Sequence, residues 1–400
     1  MRRAALSLSA LVACVTLSAP WAYAQTPPDQ DDWIFDSRLR YESVSQDGLD
    51  DAEALTARVR LGYETHAWRG WRALAELEGV AQITDDFNDT VNGHTTYPVV
   101  ADPEAFELNR LQLAWSGAHG RSAVLGRQRI VLGNARFVGN VGFRQNEQTF
   151  DAVRVSGRVF ENTTLTYIYI DRVRRIFGDD SAQGEWDSDS HIAQADISLP
   201  LGRLSAYALA LDFAEAPAQS SQTYGARWQH EWEVGSYRPR LALEAATQSE
   251  YGNNPGAFEL GYQAAELGVR RGSWNVTLGG ERLEGDDARG FATPLATLHA
   301  FQGWGDVFLT TPPDGIRDLY ANAAFTTPAW PGEQPVSFSI AYHDFADDAG
   351  DTAFGDEWDA SARMSFNAHL SLEAKAAVFE GQDPRFADRT KFWLALEYRL

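Results

Sequence analysis

The sequence predicts an all-β protein: a transmembrane, antiparallel, up-and-down β-barrel of about 18 strands, with long extracellular loops and short periplasmic turns. Three observations predict it. From Trp33 onward, apolar and polar residues alternate with a period of two. The alternating segments are joined by links that switch between short and long. Aromatic residues make up 12% of the 400 residues, with 13 Trp, 14 Tyr and 21 Phe, yet no apolar run long enough for a helical span follows the N-terminus. Helices are thereby excluded as the membrane-crossing element, and alternating strands remain.

The N-terminus reads as a targeting segment, residues 1–24. Arg2 and Arg3 form a positive start, Ala4 to Leu17 an apolar stretch, and Ala22, Tyr23 and Ala24 a small-x-small cleavage site. A short periplasmic segment, 25–32, then leads into a barrel spanning 33–400. The only cysteine, Cys14, lies in the removed part, so the mature chain forms no disulfide. A lipoprotein reading, with cleavage before Cys14, is the alternative.

Each element follows from the same alternation. Phe35, Leu39 and Tyr41 oppose Asp36, Arg38, Arg40 and Glu42, and Leu55, Ala57, Val59 and Leu61 oppose Thr56, Arg58 and Arg60. The pattern returns in Val336, Phe338, Ile340 and Tyr342, and again from Trp358 to Phe366. Short links include 67–69, 117–120, 160–162, 200–202, 234–236 and 271–272; long ones include 84–105, 133–148, 177–188, 285–314 and 347–356. A sandwich has no reason to sort its links, whereas a barrel inserted from the periplasm keeps tight turns on one rim and long loops on the other. Phe392, Leu394, Leu396, Tyr398 and Leu400 carry the alternation to the last residue. This resembles the terminal signal read by the outer-membrane assembly machinery, with Leu400 standing where Phe or Trp is usual.

Two segments, GRQRIVLGNARFVGNVGFRQNEQTFDAV from Gly126 to Val153 and FATPLATLHAFQGWGDVFLTTPPDGIRDLY from Phe291 to Tyr320, resemble the alginate-export family of outer-membrane porins. The resemblance extends over the mature chain through strand number and spacing. It implies an Arg-rich lumen, passage of anionic polysaccharide or small solutes, and periplasmic export partners if the role is export.

Of the 34 basic residues only Lys375 and Lys391 are lysines. Arg38, Arg40, Arg58, Arg60, Arg110, Arg127, Arg129 and Arg154 fall mainly on the polar, lumenal face, with Arg127 and Arg129 sharing one face of a strand. Arg is a fixed charge with a planar fork suited to carboxylates. A ladder of such groups selects anionic sugars or organic acids; equally, it braces the wall by pairing with Glu42, Glu64, Glu76 and Glu78. The 133–148 link is expected to enter the mouth as a constriction, adding Arg136, Arg144, Gln145, Asn146 and Gln148 to the site. The 285–314 loop is unusually apolar and is expected to narrow the mouth with His299, Phe301 and Trp304, the two aromatic rings packed on the wall or offered to a sugar.

Charge and motifs bound the function. With 56 acidic against 34 basic residues, the formal charge of -22 and the lack of a basic face exclude nucleic acid as a partner. The acidic loops, such as Asp85, Asp86 and Asp89, suit lipopolysaccharide bridged by divalent cations, without a defined metal site. The eight histidines are scattered, no nucleophile motif is present, and no cofactor is expected. The expected function is an anion-selective conduit for alginate-like polysaccharide, related sugars or organic acids. A general small-solute porin is the alternative, followed by a non-conducting adhesin and an outer-membrane hydrolase.

Overall fold

The protein is described by a computed structural model covering residues 32–328 and 334–400. The expected signal peptide, its cleavage site and all but the last residue of the 25–32 segment lie outside the described residues. Eighteen strands follow one another: β1 (Asp32–Gln46), β2 (Ala52–Glu64), β3 (Trp71–Gln82), β4 (Ala105–Ser116), β5 (Ser122–Gln128), β6 (Thr149–Phe160), β7 (Thr163–Arg174), β8 (Glu185–Leu199) and β9 (Gly202–Leu211). The second half comprises β10 (Ser221–Glu231), β11 (Arg238–Glu250), β12 (Glu259–Arg271), β13 (Trp274–Leu283), β14 (Ile316–Thr326), β15 (Val336–Ala346), β16 (Ala353–Ser365), β17 (Leu370–Gly381) and β18 (Arg389–Arg399).

Each strand pairs antiparallel with the next, and β1 returns to β18 in unbroken register from Asp36 opposite Arg399 to Gln46 opposite Arg389. The sheet is therefore closed and has no edge, which is what lets backbone amides enter hydrocarbon without unpaired groups. The sequence seen from inside and outside is inverted relative to a water-soluble protein. Arg38, Arg40 and Glu42 are buried on β1 while Leu39 between them is 43% exposed; Arg58 and Arg60 are buried on β2 while Val59 and Leu61 are exposed. Leu278 on β13 and Ile340 on β15 likewise face outward. An apolar belt around the whole barrel is untenable in water and expected in lipid. This is an outer-membrane barrel.

The links sort as the alternation predicts. The longest, 83–104, 129–148 and 284–315, all leave the same rim, while the opposite rim carries short links such as 161–162, 200–201 and 272–273 and both ends of the sheet. In the β12–β13 turn, Gly272 takes a left-handed φ of +56°, a conformation that costs a side-chain-bearing residue energy. Aromatic pairs mark the turn rim: Trp33 with Tyr63 at 5.1 Å, Phe35 with Tyr398 at 5.9 Å and Trp274 with Phe325 at 4.7 Å. Such rings, apolar but with a polar edge, sit at the level of lipid headgroups. One boundary differs from expectation. β5 ends at Gln128, so Arg129 does not share a strand face with Arg127 but opens the loop that turns inward.

Purified protein in detergent is expected to show a predominantly β-sheet circular dichroism spectrum and to shift its mobility on a gel when boiled. A largely helical spectrum, or a single band with and without heating, would contradict the barrel.

Candidate functional site

The long loops do not stay outside. Loop 129–148 folds back on itself through the Leu132 amide on the Val138 carbonyl at 3.0 Å, and then lies against loop 284–315. The two are stitched by Gly139 N–H to Leu295 O at 2.8 Å and Thr297 N–H to Ala135 O at 3.0 Å, with Val138 and Leu295 forming a parallel bridge. The Gln148 amide donates to the carbonyls of both Gly139 and Leu295. Behind this seam the inward faces of β6 and β7 are apolar: Val138 and Leu295 pack with Phe150, Ile168 and Ile170, all fully buried. The second loop also lays Phe291 and Phe308 on Phe345, Phe354 and Phe379. Its high apolar content is thus accounted for by contact with the wall, Phe308 standing 4.8 Å from Phe345.

A buried charge needs a partner, and this requirement organises the arginines. Arg38 donates to Glu397 at 2.6 Å and to the carbonyls of Gly142 and Phe143 at the loop tip; Arg40 bonds the Phe143 carbonyl and Asp102. Arg58 pairs with Asp36, and Arg60 with Glu78. Arg110 forks onto Glu76 at 2.9 and 2.6 Å, Arg127 onto Asp151 at 2.8 and 3.1 Å, and Arg129 meets Glu147 and Glu76. Arg136, 1% exposed, donates to Glu281 at 2.6 Å and to Thr293 at 3.1 Å. Arg144 bridges Glu42 at 3.2 Å and Asp306 at 3.0 Å. Gln145 anchors to Thr56 and Asp102, while Asn146 is buried with neither amide atom hydrogen-bonded among the described residues. Arg154 differs from the other nine: it lines the open lumen, with Asp196 as its charged neighbour and no hydrogen-bonded partner among the described residues.

At the centre of the plug sits Asp306, which the sequence reading missed. One oxygen accepts His299 Nδ1–H at 2.8 Å; the other accepts Lys391 at 2.8 Å and Arg144. His299 Nε2 in turn accepts the Lys375 ammonium at 2.6 Å, and the His299 ring stacks on Phe143 at 3.5 Å. Lys375 also lies 3.9 Å from the Trp304 ring and 4.6 Å from Phe143. Both lysines of the chain therefore converge on one loop carboxylate and its histidine. Their rarity, and their matching inward parity on β17 and β18, is the sequence signal that could have found them. Burial, reinforced by the Lys375 ammonium, pushes the His299 imidazole down to about 3. Burial alone would raise the Asp306 carboxyl, but Lys391, His299 and Arg144 hold it well below the usual carboxylate range. The adjoining turn has no room for side chains at two positions: a Cβ on Gly303 would lie 2.4 Å from Glu357 Oε1, and one on Gly305 2.6 Å from Glu357 Oε2.

Beneath the plug lies a cavity of about 2150 Å³, reaching from the turn-rim residues Gly202, Gly235 and Gly272 up to Phe301, Gln302 and Trp304. Arg154, Phe301 and Trp304 line it; the other candidate arginines, Gln145, Asn146, Gln148 and His299 are in the plug or the wall behind it. Chemically the site is a wide vestibule, open toward the periplasmic rim and narrowed by two loops under ionic lock.

Two outcomes are expected. His299 is held neutral when folded and Asp306 is held charged. In the folded state both groups bind fewer protons than when unfolded, the histidine between pH 6.5 and about 3 and the aspartate below its unfolded value. Thermal stability in micelles should fall as pH drops from 7 to 4, and His299→Gln should flatten the upper part of that slope. Arg136→Met leaves Glu281 buried without its cation and should cost about 3–5 kcal/mol in urea unfolding; a loss below 1 kcal/mol would mean that the pair carries no such role.

No protein-family model and no curated sequence matches the chain. Solved structures do. OccAB4 from Acinetobacter baumannii superposes with a TM-score of 0.73 at 13% identity, over 93% of this chain and 98% of that one. OpdK from Pseudomonas aeruginosa, solved with vanillate, gives 0.69 at 14% identity over 92% and 98%, and OccK9 (OpdG) from the same organism gives 0.69 at 14% over 92% and 98%. These neighbours correct the resemblance to the alginate-export family: the barrels that the chain superposes on are Occ and Opd proteins. The physical reason is that the two segments carrying the resemblance form the inward-folded loops and their flanking strands, and strand number and spacing are common to barrels of this size. The chain has the 18-stranded outer-membrane barrel fold that these proteins share.

Proposed function

We propose that the protein is a passive outer-membrane channel for small solutes. The observation that carries this is the vestibule: a closed barrel with about 2150 Å³ of open lumen beneath its two inward loops. Eighteen strands enclose more space than wall side chains alone can fill, and here polar loop groups and ion pairs take up part of it. A polymer has to thread the loop seam as a chain, whereas a small solute needs only a local opening between loops 129–148 and 284–315.

In this reading Arg127, Arg129, Arg136 and Arg144 act chiefly as braces, since each already holds a carboxylate. A second reading, a small solute bearing a carboxylate, is favoured by Arg154, whose guanidinium is open to the vestibule; OpdK, a barrel of the same fold, was solved with vanillate.

Purified protein in planar bilayers is expected to give reproducible unitary conductance steps; a sealed membrane at high protein load would contradict the channel. Arg136→Gln with Arg144→Gln should raise conductance by loosening the loops while leaving the sign of the reversal potential in a salt gradient unchanged. Arg154→Gln should slow vanillate-driven liposome swelling severalfold if the carboxylate reading holds, and leave it unchanged if it does not.

A further inference from the structure

We propose that Glu357 and Asp359, at the closed end of the vestibule, form a binding site for the ammonium or guanidinium group of a small organic cation; the proposal deepens the channel reading and rests on it. The two residues are adjacent inward positions of β16, and both are at most 1% exposed. Each gives one oxygen to the plug: Glu357 Oε1 accepts the Gly305 amide at 2.7 Å, and Asp359 Oδ2 accepts the Trp304 amide at 3.3 Å. The remaining oxygens, Glu357 Oε2 and Asp359 Oδ1, find no nitrogen or hydroxyl donor among the described residues, the two carboxyls lying within hydrogen-bonding reach of each other, and Asp359 lines the vestibule.

The nearby cations are already engaged. His343 donates Nδ1–H to Asp318 at 3.0 Å and leaves its other nitrogen 3.8 Å from Asp359, too long for a hydrogen bond. Lys391 and Arg144 serve Asp306, and Lys375 serves His299. The same stretch of wall adds Glu266, Glu281 and Asp318, which meet Arg227, Arg136 and His343 in turn. Negative charge is therefore in excess where the cavity ends. Two buried carboxyls whose free oxygens have only each other are costly to leave so, and an ammonium brings three donors, a guanidinium five. The rings of Trp304 and Phe301, which already hold Lys375 and Arg136 over their faces, line the same end together with Tyr320. A metal ion suits the site less well, since no cluster of three or more ligating side chains that could hold one occurs among the described residues.

The test uses the full-length protein in planar bilayers, with 1,4-diaminobutane as probe and uncharged 1,4-butanediol as control. Diaminobutane added on the periplasmic side is expected to interrupt the current, and butanediol is not. The double variant Glu357→Gln with Asp359→Asn keeps carbonyl acceptors for the Gly305 and Trp304 amides, and should raise the half-blocking concentration at least tenfold. Equal block by butanediol, block unchanged in the double variant, or conductance without block would each overturn the site while leaving the channel standing. If no conductance appears, the channel reading fails, and the site is read instead in micelles. There, diaminobutane should change the tryptophan fluorescence of the native protein but not of Trp304→Phe or the double variant; no change in the native protein overturns it.

Discussion

Closure of the sheet between β1 and β18 is the constraint on which everything else depends. Once Asp36 stands opposite Arg399 and Gln46 opposite Arg389, the parity of every strand is settled, because a slip of one residue would exchange the lipid-facing and lumenal sets. That parity sends Leu39, Val59 and Leu61 into lipid and confines Arg38, Arg40, Arg58 and Arg60 to the interior. The charged lumen follows from the backbone's need to leave no edge in hydrocarbon.

A lumen crowded with fixed charge then dictates how the loops can enter it. The loop tip at Gly142 and Phe143 is held by its backbone carbonyls, which accept from Arg38 and Arg40, and by the Phe143 ring, which stacks on His299. Farther in, Arg136 and Arg144 carry their own charges to Glu281, Glu42 and Asp306, and the loop arrives already neutralised against its wall. Isolated surface ion pairs contribute little; these are buried and shared among several partners, so that removing one member strands the others. The plug is thus better described as a matched set of charges than as a hydrophobic stopper, although the Phe291 and Phe308 clusters supply its adhesion.

The barrel was legible because its signals are local. Alternation at period two, the sorting of links and the C-terminal run to Leu400 each follow from one strand and its neighbours. Arg129 shows the limit: it continues the alternation of Arg127, yet β5 stops one residue before it, and Arg129 meets Glu147 from the loop instead. The plug was only half legible. An apolar loop at 285–314 signalled that it must pack on something, and polar residues at 144–148 signalled inward folding, but Asp102, Glu281 and Asp306 drew no notice. Their importance comes from pairs far apart in the sequence, from 62 residues for Arg40 with Asp102 to 162 for Arg144 with Asp306, and no spacing rule reports those. The loop resemblance misled for the opposite reason, since similar lengths and compositions recur wherever loops are tucked into barrels of similar girth.

The stitching of the two inward loops bears on how the molecule assembles. Val138 pairs with Leu295, and Phe143 answers to arginines on β1, so the plug joins the first strand, the link after the fifth and the link after the thirteenth. Contacts so distant in sequence close large chain loops, with an entropic cost that local hairpins do not meet. A chain laid into the membrane hairpin by hairpin has both halves of the seam only after β14 is in place. The loops therefore dock into an interior that already has its walls: constriction is the last act of assembly, and a barrel caught before it would be a wide, leaky ring.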